Sequence, residues 1–204
     1  MKRITMVDIK SITANQNSYS PEAESHFNDI INSAIKAGKT VCYTHSMINM
    51  KPKPMIGSWA AVIRNMDGEV EYSGAMAESR QPRISIHACL NCFKFAAEKS
   101  NLLILTNNTY IPMAIDDDQL EKWDHYNWKQ YRGGEVKDSD LWSQLLAHVR
   151  KYKPQVIYIP SWYEPSQLKR AKQLALAKRL GPADGVDKVK SVVQTVTVEE
   201  AEEI

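Results

Sequence analysis

The chain has 204 residues, 43% of them hydrophobic and 25% charged, enough for one sizeable core plus appendages. No run approaches the roughly eighteen consecutive apolar residues of a membrane-spanning helix, and the start Met1-Lys2-Arg3-Ile4-Thr5 lacks the apolar stretch of a signal peptide. Three cysteines, an odd number, fit a reducing cytoplasm without structural disulfides, and a formal net charge of +2 is too small to establish a polyanionic partner by itself.

Residues 1 to 20 have no clear period and read as a loose arm. Pro21-Glu22-Ala23-Glu24 then opens a helix: Ser20 caps it, proline suits its first turn, and the acids favour the positive end of the dipole. Phe27, Ile30, Ile31, Ala34 and Ile35 form one apolar stripe, and Gly38 ends the helix. That stripe needs a surface, either the main domain or a partner. β-prone runs follow at residues 40–44, 58–64 and 70–74, with Asp67-Gly68 marking a hairpin turn between the last two.

A helix over residues 83–99 carries Ile86, Cys89, Leu90, Phe93 and Ala97 on one face. Cys89 and Cys92 are spaced like half a zinc site, but no second pair exists, so core packing is expected of them. Leu102-Leu103-Ile104-Leu105 is the continuous apolar run of a strand covered on both sides. Helical segments at 109–115, 118–128 and 139–151 precede a fifth strand at 156–159 and a closing helix at 166–180, stopped by Gly181-Pro182. The remainder is charged and reads as a mostly disordered tail. Three parts are therefore expected: an N-terminal arm and helix (1–39), an α/β domain (40–181) and the tail (182–204).

Gly57-Ser58-Trp59-Ala60-Ala61-Val62-Ile63-Arg64 resembles the second strand of ribonuclease HI, Asp140-Leu141-Trp142 a late helix of that family, and Asn127-Trp128-Lys129 the segment leading into its basic protrusion. Thr106-Asn107-Asn108-Thr109-Tyr110-Ile111 is similar to the family's T-D-S-x-Y-V. Together with the element order, this resemblance implies a ribonuclease H-like α/β fold, a five-stranded mixed sheet flanked by helices, with an N-terminal helical extension. It also implies a two-magnesium site held by four acids. The matching positions are His45, Ser85, Asn107 and Lys172, none of them acidic, and neighbouring registers supply no acid either. Two dications about 3.5–4 Å apart need several carboxylates to offset their repulsion. The expectation is thus a catalytically degenerate family member, a pseudoenzyme with no catalytic residues, no metal and no other cofactor.

An uncharged-to-basic hollow would no longer repel phosphate. Residues 151–190 add nine Lys and Arg against three acids, before the acidic end Glu199, Glu200, Glu202 and Glu203. Expected nucleic-acid contacts are His45 and Asn107 in the old site, and Lys51 and Lys53 in a Met- and Pro-rich loop. Trp128, Tyr131 and Arg132 fall at the protrusion, Trp162 before the closing helix, and Lys169, Arg170 and Lys172 on that helix, while Trp123 and Trp142 read as core. The expected function is non-catalytic binding of RNA, single-stranded or structured, in the cytoplasm and away from membranes. The alternative is a protein-binding adaptor that uses the N-terminal helix, the Met-rich loop or the tail. A viral or phage origin would fit such an isolated, diverged copy.

Overall fold

A computed structural model describes residues 19–49, 55–77, 80–96, 99, 101–180 and 192–194. Lys51 and Lys53, residues 1–18 of the expected arm and most of the expected tail lie outside the described residues. The order is α1 (Pro21–Lys36), β1 (Thr40–Asn49), β2 (Ile56–Asn65), β3 (Gly68–Ala77), α2 (Gln81–Phe95), β4 (Leu102–Thr106), α3 (Tyr110–Asp116), α4 (Gln119–His125), α5 (Ser139–Tyr152), β5 (Gln155–Tyr158), α6 (Ser166–Leu180) and β6 (Val192–Gln194). The sheet runs β5-β4-β1-β2-β3-β6. β1, β2 and β3 form an antiparallel meander, while β4 pairs parallel with both β1 and β5. This is the expected five-stranded mixed sheet, extended by β6. The three-residue β6 comes from the segment expected to be disordered and lies antiparallel along residues 71–73 of β3.

Two cores follow from the period-two alternation of the strands. On one face, Cys42, Trp59, Ala61 and Ile63 pack under α2 and α5, with Phe93, Cys89, Trp142 and Leu145 among the buried side chains. Cys89 and Cys92 are fully buried there, as their apolar helix face requires, and burial pushes the Cys89 thiol up to about 12. On the other face, Val41, Tyr43, Ala60, Val62, Leu103 and Leu105 pack under α1 and α6. β4 is therefore covered on both sides, which accounts for its unbroken apolar run.

The stripe on α1 finds its surface within the chain. Ser20 caps the helix by accepting from Ala23 N–H at 3.1 Å, and Phe27 stacks on Tyr163 at 4.9 Å. Tyr163 donates its hydroxyl proton to Asn28 Oδ1 at 2.6 Å. Burying Phe27, Ile30 and Ile31 contributes on the order of 1.5–3 kcal/mol each. The apolar face that a protein partner could have used is consumed by the sheet.

Local differences from the sequence expectation have local causes. The helix expected over 118–128 stops at His125, because Asn127 and Trp128 take φ of 50° and 59°. That left-handed step turns the chain back, and Trp128 O accepts from Val136 N–H at 2.8 Å. Lys129 bridges to Glu135, and the turn between them uses Gly133 and Gly134 at φ of 77° and 100°, a region where a side chain would be strained.

Candidate nucleic-acid interface

The functional positions gather where β1 and β4 end beside the start of α2. Alternation along β1 separates two neighbours. Ser46 shares the α2 face with Cys42 and Thr44, whereas His45 shares the α6 face with Tyr43 and Met47.

On the α2 face the polar groups satisfy one another. Ser46 Oγ lies 2.7 Å from Ser85 Oγ, and Ser85 Oγ donates to Gln81 O at 2.9 Å. Asn107 behaves like one more peptide unit: its Oδ1 accepts from Ser46 N–H at 3.1 Å, and its Nδ2 donates to Ser46 O at 3.0 Å. Gln81 Nε2 donates to Ser46 Oγ at 2.9 Å, and Asn108 Nδ2 donates to Ser85 Oγ at 3.0 Å. Ser46 and Ser85 are buried, so each unmade bond here would carry a full desolvation penalty.

On the α6 face the groups are ionic. Burial first and the Lys172 ammonium second lower the His45 pKa to about 4, with Glu164 opposing both. His45 is therefore neutral near pH 7. Lys172 Nζ bonds Glu164 Oε1 at 2.5 Å. Arg170 is forked onto the buried Glu71 of β3, with Nε and Nη2 at 2.6 and 2.8 Å from its two oxygens. Lys169, Arg170 and Lys172 are all exposed, but they do not share one helix face. The buried stripe Leu168, Ala171 and Ala175 runs between them, with Arg170 leaning toward β3 and Lys172 toward Glu164.

The aromatic candidates separate by burial. Tyr131 is fully exposed on the glycine turn, with Arg132 exposed beside it. Trp128 instead packs against the α2-side core, 6.4 Å from Trp123, and Trp142 is buried as expected. Trp162 lies 5.9 Å from Phe27 and 6.0 Å from Tyr19, so it helps to seat α1. Both tryptophans are half-buried, with part of each ring claimed by tertiary contacts. Sequence reasoning missed Gln81, Asn108, Glu71 and Glu164. Glu164 did carry a signal, as the only acid among residues 151–183.

The sequence model of the RNase H family matches residues 37–175, more than half of the chain. The chain belongs to the ribonuclease H family. A ribonuclease H from Caldicellulosiruptor saccharolyticus is 28% identical over 112 residues, spanning 55% of this chain and 76% of that protein. One from Acidiphilium cryptum is 28% identical over 129 residues, spanning 63% and 80%. Among solved structures, the foamy viral protease-reverse transcriptase in complex with dsDNA superposes with a TM-score of 0.63 at 16% identity, covering 72% of this chain and 97% of that one. The same viral protein in complex with an RNA/DNA hybrid gives 0.59, also at 16% identity, over 72% of this chain and 20% of that one.

These relatives correct one expectation. They are enzymes by name, aligned over about three-quarters of their own length, so the assignment of this family member as a non-enzyme is overturned. For the metal pair itself, the residues present do not fit. The hydroxyls and amides at Ser46, Ser85 and Asn107 are neutral and turned onto one another, and Lys172 adds positive charge where a cation would need negative. Among the described residues no group of three or more His, Cys, Asp or Glu side chains is placed to hold a metal ion. No helix among them is long and apolar enough to cross a membrane.

Proposed function

We propose that this ribonuclease H-family chain binds RNA, alone or paired with DNA, along the edge where β1 and β4 end, with α6 and the glycine turn at its two sides. The observation that carries this is the charge at that edge. His45 is neutral, Ser46, Ser85 and Asn107 are neutral, and Lys172 lies beside His45, so a phosphate backbone meets no fixed anion at the family's four acid positions. The family relatives are ribonucleases by name, and the foamy viral protein of the same fold was solved with an RNA/DNA hybrid; both support RNA as the ligand class. Tyr131 and Arg132 offer a ring and a cation on a constrained turn, suited to stacking or to contact with a sugar-phosphate strand.

The test is binding of one sequence as single-stranded RNA, duplex RNA, RNA/DNA hybrid and duplex DNA at two salt concentrations. The RNA-containing ligands should bind tighter than duplex DNA, with affinity falling as salt rises. Duplex DNA binding as tightly as the RNA-containing ligands, or no binding of any RNA, would overturn the proposal. Hydrolysis of the RNA strand is read from the same mixtures, so that binding and cleavage are scored separately.

A further inference from the structure

One carboxylate at the proposed interface occupies the position of a ligand. Glu164 lies in the turn before α6, and its side chain is 33% exposed. Lys172, two turns into α6 and 52% exposed, extends its ammonium to Glu164 Oε1 at 2.5 Å. Lys169 and His45 also act on this carboxyl, which is held below the usual range first by the Lys172 bond and then by these neighbours. An anion bonded to one ammonium, with a second ammonium acting on it through space, is the arrangement a phosphodiester oxygen would adopt at the same place. His45, on which Lys172 and Glu164 both act, precedes Ser46 directly, and Asn107 is bonded to Ser46, so this pair borders the polar network.

We infer that Lys172, supported by Lys169, forms a phosphodiester site that needs no divalent cation, and that Glu164 fills this site in the free chain as an internal phosphate mimic. Binding exchanges one anion for another: the Lys172–Glu164 pair opens, the carboxylate swings to solvent, and a backbone phosphate takes its place against the ammonium. Two properties make the exchange feasible. Both partners are partly exposed, so the pair is weak enough to open, and neither side chain belongs to a buried core. The Arg170–Glu71 pair differs, since Glu71 is buried with 8% of its side chain exposed and would be left desolvated. The inference rests on the proposed function, whose ligand it narrows to a backbone phosphate at this one place.

The experiment is a double-mutant cycle on the full chain with Glu164→Gln, Lys172→Met and the double variant. The probe is a mixed-sequence RNA/DNA hybrid, titrated with and without EDTA. Glu164→Gln should tighten binding by about two- to fivefold, the range of an exposed ion pair, and steepen the salt dependence. The gain should vanish in the Lys172→Met background. EDTA should leave every affinity unchanged. An equal gain in both backgrounds would overturn the inference, since Glu164 would then act only as a general negative charge. Loss of binding in EDTA would overturn it as well, because a cation would be holding the phosphate. If the wild type binds and Glu164→Gln does not differ from it, masking is wrong and the proposed function stands. If neither chain binds, both fall.

Discussion

The two faces of the sheet meet the same edge with opposite chemistry. On the α2 side, Ser46, Ser85, Asn107, Asn108 and Gln81 close a neutral network in which nearly every donor has an acceptor within the chain. On the α6 side, the Lys172–Glu164 pair brings charge to the edge beside a neutral His45 and leaves part of it in solvent, while the Arg170–Glu71 pair lies over β3. Both stand where the family carries acids, yet one substitutes a rigid scaffold and the other an openable ion pair, Lys172–Glu164. An acid-free site can thus hold its shape through hydrogen bonds while its charge remains available for exchange.

The largest expected effect tests the closed half. Asn107→Leu removes the partner of Ser46 N–H and the amide that bonds Ser46 O, leaving part of a buried strand end unsatisfied. Urea unfolding should show a loss of about 1–3 kcal/mol. A loss below about 0.5 kcal/mol, within the ordinary range of surface changes, would mean that water replaces the amide at no cost and the network is not a scaffold.

His45 gives the next effect and sharpens the contrast through pH. Its folded pKa is about 4 against an ordinary 6.5, so between those values the unfolded chain binds more protons than the folded one. Its contribution to stability is therefore complete above about pH 6.5 and is lost as pH falls through that window, by up to about 1.4 kcal/mol per unit. His45→Asn should flatten this acid limb when urea midpoints at about pH 5 and about pH 7 are compared. An unchanged limb would assign the dependence to other groups.

The openable half should respond weakly in stability. Lys172→Met breaks an exposed pair and should cost less than about 1 kcal/mol, while lowering RNA affinity and reducing the salt slope by roughly 0.7–0.9. A stability loss as large as that of Asn107→Leu would erase the distinction between the faces. Smallest of all, Tyr131→Ala should leave the melting temperature unchanged, because the ring is fully exposed, and should weaken single-stranded RNA more than heparin. Equal loss for both ligands would remove stacking from the account.

Much of the fold was legible because its signals are local. The apolar run at 102–105, the Asp67-Gly68 turn and the Ser20-Pro21 helix start all lie within a few residues of what they specify. The motif resemblance singled out Ser85 and Asn107, which the structure brings together around Ser46. Long-range partners were not legible. Glu71 and Arg170 are 99 residues apart in sequence, Ser46 and Asn107 are 61 apart, and neither pairing leaves a periodic trace. The ring contacts of Trp128 and Trp162 were equally hidden, because only the folded chain brings Trp123 and Phe27 against them. Catalytic status was misjudged for a different reason: it was inferred from one donor set, whereas kinship is carried by residues 37–175 as a whole.

The family match begins at residue 37, one residue beyond the end of α1, yet α1 supplies part of the roof over β1, β4 and β5. A chain cut at that homology boundary would uncover Val41, Leu103, Leu105 and Ile157 together, and Tyr163 would lose both its stacking partner and its hydrogen bond to Asn28. Such a fragment would carry a sticky apolar patch and would be prone to self-association and proteolysis. The smallest piece that stays soluble when expressed alone should therefore start near Tyr19, well upstream of the segment that kinship marks out.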